Sequence, residues 1–115
     1  MYLINWDPSA KRIEASFGGC ITNGEAEVFL EELREQLVQC QGDEFCMVLD
    51  YATTKRLDSH VLEAFATARK AGWDAGAKKV VFVARDENEA VALTDSRLQQ
   101  VLDGLEEYVP YRWAA

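Results

Sequence analysis

The chain has 115 residues, 49% of them hydrophobic and 28% charged, with only two prolines; this is the length of one ordinary domain and excludes long disorder, collagen-like repeats and a disulfide scaffold. The formal net charge is −8, so a phosphate-rich partner meets net repulsion, and nucleic acid is not an expected ligand. A domain of this size removes roughly 65% of its unfolded-chain surface from water, enough for a sheet covered by a few helices but not for a large enclosed active site.

The predicted elements begin with two short segments rich in aromatic and branched residues, Tyr2 to Trp6 and Lys11 to Gly18, separated by Asp7-Pro8-Ser9-Ala10. Proline at a turn position makes this a β-hairpin. In its second strand Ile13, Ala15 and Phe17 alternate with Arg12, Glu14 and Ser16, so one face is buried and the other meets water or a partner. Thr22-Asn23-Gly24-Glu25 matches a capping box, and Ala26, Phe29, Leu30, Leu33 and Leu37 follow on one helical stripe. Past Gly42, the apolar run Phe45-Cys46-Met47-Val48-Leu49 predicts a buried central strand with Asp50 at its C-terminal end and Cys46 as a small core residue.

A loop from Tyr51 to Leu57 then leads to Asp58-Ser59, a helix-cap signal, and to Leu62, Phe65, Ala66 and Arg69 at helical spacing up to Gly72. Trp73 to Lys78 is a connector, and Val80-Val81-Phe82-Val83 predicts a second buried strand. A helical stretch with Val91 and Leu93 is broken and restarted near Thr94-Asp95-Ser96, and Leu98, Val101, Leu102 and Leu105 continue its apolar stripe. Tyr108 to Trp113 is a last strand, placed at a sheet edge because Pro110 cannot donate to a ladder. The order β-β-α-β-α-β-α-β makes the fold class α/β with a mixed sheet. Strands joined through single helices are parallel with right-handed crossovers, which puts the helices mainly on one face.

Several chemistries find no support. Cys20, Cys40 and Cys46 are an odd number without C-x-x-C spacing, and His60 is the only histidine, so a zinc site lacks ligands and a reducing compartment is expected. A Cys-His nucleophile would need Cys20 or Cys40 beside His60; neither cysteine has a local signature, and the histidine reads as a solvated surface residue. Gly18-Gly19 leads into no phosphate-binding pattern, and nothing calls for a cofactor. Met1 to Asp7 shows no basic region followed by a long apolar stretch, and no 18-residue apolar run occurs; a cytoplasmic protein without membrane insertion is expected.

Charge is unevenly spread. Residues 55–85 carry seven Lys and Arg against three Asp and Glu, between two acidic flanks; the pattern suits steering toward a protein partner, as well as plain solvation of helix faces. Within this stretch Ser59 opens a helix, where free N–H groups and the positive end of the helix dipole favour a phosphate. Lys55, Arg56 and His60 lie within a few residues. A phosphoserine there adds about −1.5 to −2 charges, enough to repel an acidic or apolar docking surface. The plainer reading is that Asp58 or Ser59 is a helix cap.

The pieces Val48-Leu49-Asp50, Leu57-Asp58-Ser59, Val61 to Gly72 and Val80 to Ala84, with the initial hairpin and the capping-box helix, resemble in order and length the STAS-domain family, whose small free-standing members include bacterial anti-sigma-factor antagonists. The resemblance implies a single STAS-like domain, residues 1–115, acting as a non-enzymatic switch. Ser59 would be the phosphorylation site. Asp50, Lys55, Arg56, Asp58 and His60 would belong to the docking surface, and the partner would be an ATP-binding regulator of the anti-sigma or kinase type. The chain departs from the antagonist pattern in having His60-Val61 after the serine and Lys55-Arg56 in a loop that is usually apolar. It is also similar to small bacterial proteins related to STAS domains and to the lipid-binding Sec14-type fold. That likeness, with Tyr108, Tyr111 and Trp113 near the C-terminus, implies as an alternative an apolar-ligand or lipid-binding domain. The same aromatics would also suit core packing or a homodimer contact.

Overall fold

A computed structural model describes residues 1–40, 42, 44–56 and 58–111. Five strands form one mixed sheet in the order β1-β2-β3-β4-β5, with β1 (Tyr2–Asp7), β2 (Arg12–Gly19), β3 (Cys46–Thr54), β4 (Lys79–Ala84) and β5 (Glu106–Pro110). The β1–β2 pair is antiparallel and the other three are parallel. The crossovers carry α1 (Asn23–Cys40), α2 (Ser59–Asp74), and α3 (Glu87–Ser96) with the short α4 (Leu98–Leu102). Because the strand order steps in one direction, right-handed crossovers place the helices on one face.

Local chemistry sets these boundaries. In the hairpin, the Asp7 carboxylate accepts hydrogen bonds from the amides of Ser9 and Ala10 at 3.0 and 3.1 Å, an Asx turn that reverses the chain. At the start of α1, Thr22 Oγ1 accepts from the Glu25 amide at 3.1 Å and Glu25 Oε1 from the Thr22 amide at 3.4 Å, the reciprocal bonds of a capping box.

The core lies between the helices and one sheet face. Ile13, Phe17, Met47, Leu49, Val80 and Phe82 are buried on that face, and Phe29 of α1 and Phe65 of α2 pack on Phe17 with ring centroids 4.5 and 4.9 Å away. Buried aromatic side chains of this kind typically stabilise by about 3 to 5 kcal/mol against alanine. Among the described residues the opposite sheet face carries no helix, and Glu14, Ser16, Val48, Asp50, Val81 and Val83 are half-buried there.

Five expectations change. Strand β3 runs on to Thr54, so Asp50 lies within the strand rather than at its end, and Tyr51 is a buried strand residue instead of the start of a loop. Cys46 falls on the half-open face, while Cys40 is fully buried. Helix α2 continues through Trp73 to Asp74. Leu98, Leu102 and Leu105 are exposed and only Val101 of that stripe packs on the core, because α4 is five residues long and buries none. Strand β5 begins at Glu106 and closes at Pro110, an edge position where a missing N–H costs little; Trp113 and Leu57 lie outside the described residues.

Candidate functional site

The connection from β3 to α2 is fastened where it leaves the strand. The Lys55 amide donates to the Gly19 carbonyl at 2.9 Å, a contact reached because Gly19 adopts a left-handed φ of 69° at the end of β2. Thr54 Oγ1 donates to the Tyr51 carbonyl at 2.6 Å, and Arg85 at the end of β4 reaches the Lys55 carbonyl at 3.5 Å. Beyond this clamp Lys55 and Arg56 are exposed.

Asp58 takes the cap position of α2 with extended backbone, but its carboxylate makes no cap bond and instead accepts from Arg56 Nη2 at 3.1 Å. Among the described residues no side chain accepts from the first-turn amides of α2, of which the Val61 amide donates to the Asp58 carbonyl at 3.0 Å. Ser59 is the first helical residue and is exposed. Buried Val61 anchors the turn from below. The half-buried His60 is not the solvated residue expected: its Nε2 lies 2.5 Å from the Ile21 carbonyl. A carbonyl only accepts, so Nε2 carries the proton, and the ring ties α2 to the loop entering α1.

Lys55, Arg56, Asp58, Ser59 and His60 are thus together on one surface, while Asp50 is not with them. Its side chain is on the helix-free face, beside Leu3, Asn5, Glu14, Ser16 and Val48, and five residues of extended strand, about 16 Å, separate it from Lys55. Cys20 is exposed and Cys40 buried. Since His60 Nε2 is held by Ile21, the ring nitrogen that binds it is not offered to either thiol. Among the described residues no group of three or more His, Cys, Asp or Glu is placed to hold a metal ion, and no helix is long and apolar enough to cross a membrane.

A second constellation lies under α2 and α3. Glu106 is 1% exposed, yet it accepts from Arg97 Nε at 3.1 Å, from Arg97 Nη2 at 2.9 Å and from Tyr108 Oη at 2.7 Å. Burial pushes its carboxyl up, but the bonds from Arg97 and Tyr108 and the Arg97 charge outweigh burial and hold it below the usual carboxylate range. Arg69 Nη1 donates to Tyr108 Oη at 3.4 Å and its guanidinium stands 5.8 Å from the Phe82 ring centre. Burial, then the bond to Glu106, pushes the Tyr108 hydroxyl up to about 12.

Tyr51, Phe82 and Tyr108 on the sheet, Leu62, Phe65, Ala66 and Arg69 on α2 and Leu93 on α3 line a half-open cleft of about 130 Å³. Tyr51 is 2% exposed and its hydroxyl has no hydrogen-bond partner among the described residues. Burial, and then the Glu89 charge, push the pKa of this hydroxyl well above that of free tyrosine. Sequence reading singled out Tyr108 among the C-terminal aromatics but missed Tyr51 and Glu106, although the alternations Leu49, Tyr51 and Glu106, Tyr108 carried the signal. No family model matches the chain, and no curated protein matches it either.

Proposed function

We propose that this protein is a cytoplasmic, non-enzymatic regulatory module of STAS type that binds a protein partner through the surface around the start of α2, and that phosphorylation of Ser59 releases the partner. The observation that carries the reading is the exposure of Ser59 at the first helical position of a clamped, positively charged loop. Lys55 and Arg56 would draw an acidic rim of the partner, and an ATP-binding regulator of the anti-sigma or kinase type fits the resemblance. A phosphate on Ser59 places about −1.5 to −2 charges beside both cations. It cancels their attraction, competes with Asp58 for Arg56, and is itself favoured by the uncapped first-turn amides. The clamp through Gly19 and Arg85 fixes the Lys55 backbone, so the phosphate acts by changing the charge beside it.

Affinity capture from a lysate of the source organism, with wild type, Ser59→Ala and Ser59→Asp as baits, tests this. An ATP-binding protein retained by wild type and Ser59→Ala and lost from Ser59→Asp is the expected result. The same proteins, or none, on all three baits would remove the switch.

A further inference from the structure

We propose that the cleft between α2 and α3 is a binding site for a single-ring aromatic carboxylate. Its α2 wall is the stripe Leu62, Phe65, Ala66 and Arg69, at the spacing that sets side chains on one helix face. Its floor is aromatic: the Phe82 and Tyr108 rings are stacked 4.9 Å apart with 11° between their planes, and the Tyr51 and Phe65 rings stand 4.7 Å apart. A volume of about 130 Å³ is near that of an apolar protein cavity, about 150 Å³, known to hold benzene. It is far below the 300 Å³ or more, roughly, of pockets that enclose larger ligands, so a long acyl chain does not fit inside.

Two polar groups define the ligand further. Tyr51 Oη is buried without a partner, a costly arrangement for a hydroxyl unless an occupant accepts its proton. Tyr108 Oη, in contrast, is already committed to Glu106. Arg69 lines the same cleft and, among the described residues, has no carboxylate within salt-bridge distance; its one hydrogen bond, at 3.4 Å, is long. A ring slotted against Phe65 and Phe82, with a carboxylate at Arg69 and an oxygen substituent accepting from Tyr51, satisfies both. The acidic groups that face Tyr51 are Glu89 and Asp86, with Arg85 as counter-charge; at the other end Glu106 is already held by Arg97 and Tyr108, and Arg69 adds a further positive charge there, so the carboxylate belongs at the Arg69 end.

The test is a titration of the full chain with 4-hydroxybenzoate, followed by calorimetry and by amide chemical shifts, with toluene and decanoate as comparison ligands. Saturable shifts at Tyr51, Phe65, Arg69 and Leu93 are expected for 4-hydroxybenzoate. Tyr51→Phe should weaken binding about fivefold, the equivalent of one hydrogen bond of about 1 kcal/mol, without lowering Tm, since it deletes an unpaired buried hydroxyl. Ala66→Phe, at an exposed rim position, should abolish binding while the protein stays folded. No saturable shift at millimolar ligand, equal affinity of Tyr51→Phe and wild type, or a preference for decanoate or toluene would each overturn the proposal.

Discussion

Replacing Arg97 by alanine leaves Glu106, among the described residues, with Tyr108 Oη as its one remaining hydrogen-bond donor in a site where the carboxylate side chain is fully covered. Removing one member of a buried ion pair costs about 3 to 5 kcal/mol. The Arg97 side chain is 32% exposed, so water reaches part of the vacated space, and about 2 to 3 kcal/mol is expected. At roughly 2.1 cal/mol/K per residue the unfolding entropy of this chain is about 240 cal/mol/K, and the loss lowers Tm by about 10 °C in a thermal melt at pH 7. Acidification distinguishes this cause from simple loss of packing. In the wild type the Glu106 carboxyl lies below its unfolded value, so its contribution is present above about pH 4.3 and is lost as pH falls through the folded value. In Arg97→Ala burial dominates and raises that carboxyl above the unfolded value; the penalty is then present at neutral pH and is relieved as pH falls through the raised value. The gap in stability should therefore narrow between pH 7 and about pH 4, and Arg97→Ala with Glu106→Leu should recover most of it. A gap that does not change with pH, or a loss under about 0.5 kcal/mol, would refute the argument.

His60→Ala removes the bond to the Ile21 carbonyl and should cost about 0.5 to 1.5 kcal/mol in urea unfolding, with faster amide exchange confined to the start of α2 and the loop before α1. Thr22→Ala breaks the capping box and should cost about 1 kcal/mol. At Gly72 an added Cβ would lie 2.8 Å from Met47 Cε. The helix gains about 1 kcal/mol from alanine while the buried but flexible methionine end must move; Gly72→Ala should stay within about 1 kcal/mol of wild type, and Gly72→Val should lose about 2 kcal/mol or more in the same urea titration.

The strand and helix pattern was legible wherever apolar spacing and end signals agreed, as for the capping box of α1 and the run Met47 to Leu49 that became the sheet centre. Reading failed where polarity meant the uncovered sheet face rather than the end of a strand. Asp50 and Ala52 point away from the helices while Leu49 and Tyr51 point toward them, so the alternation continued after the apolar run had stopped. For Glu106 the alternation with Tyr108 pointed inward, but the partner that makes a buried carboxylate tolerable, Arg97, is nine positions earlier and is brought back only by the turn after α4. The opposite error occurred at Leu98 and Leu102, whose helical spacing suggested packing although α4 is too short to lie down on the sheet. For the candidate site, Lys55, Arg56, Asp58, Ser59 and His60 cluster as their closeness in sequence requires. Asp50 leaves the cluster because alternation turns it to the other side of the sheet and the extra length of β3 sets it back from the loop, and the cleft beneath α2 needed three strands and two helices to be placed before it existed.

The most direct test of the regulatory reading is the affinity of the regulator retained by wild-type bait, measured by calorimetry for the unmodified protein and for protein carrying phosphate on Ser59. At least a tenfold weakening, about 1.4 kcal/mol, is expected on phosphorylation. Charge reversal at Lys55 and Arg56 should weaken binding in the same direction, while Ser59→Ala and Asp50→Asn should leave it unchanged. Equal affinity of the phosphorylated and unmodified forms would contradict the account.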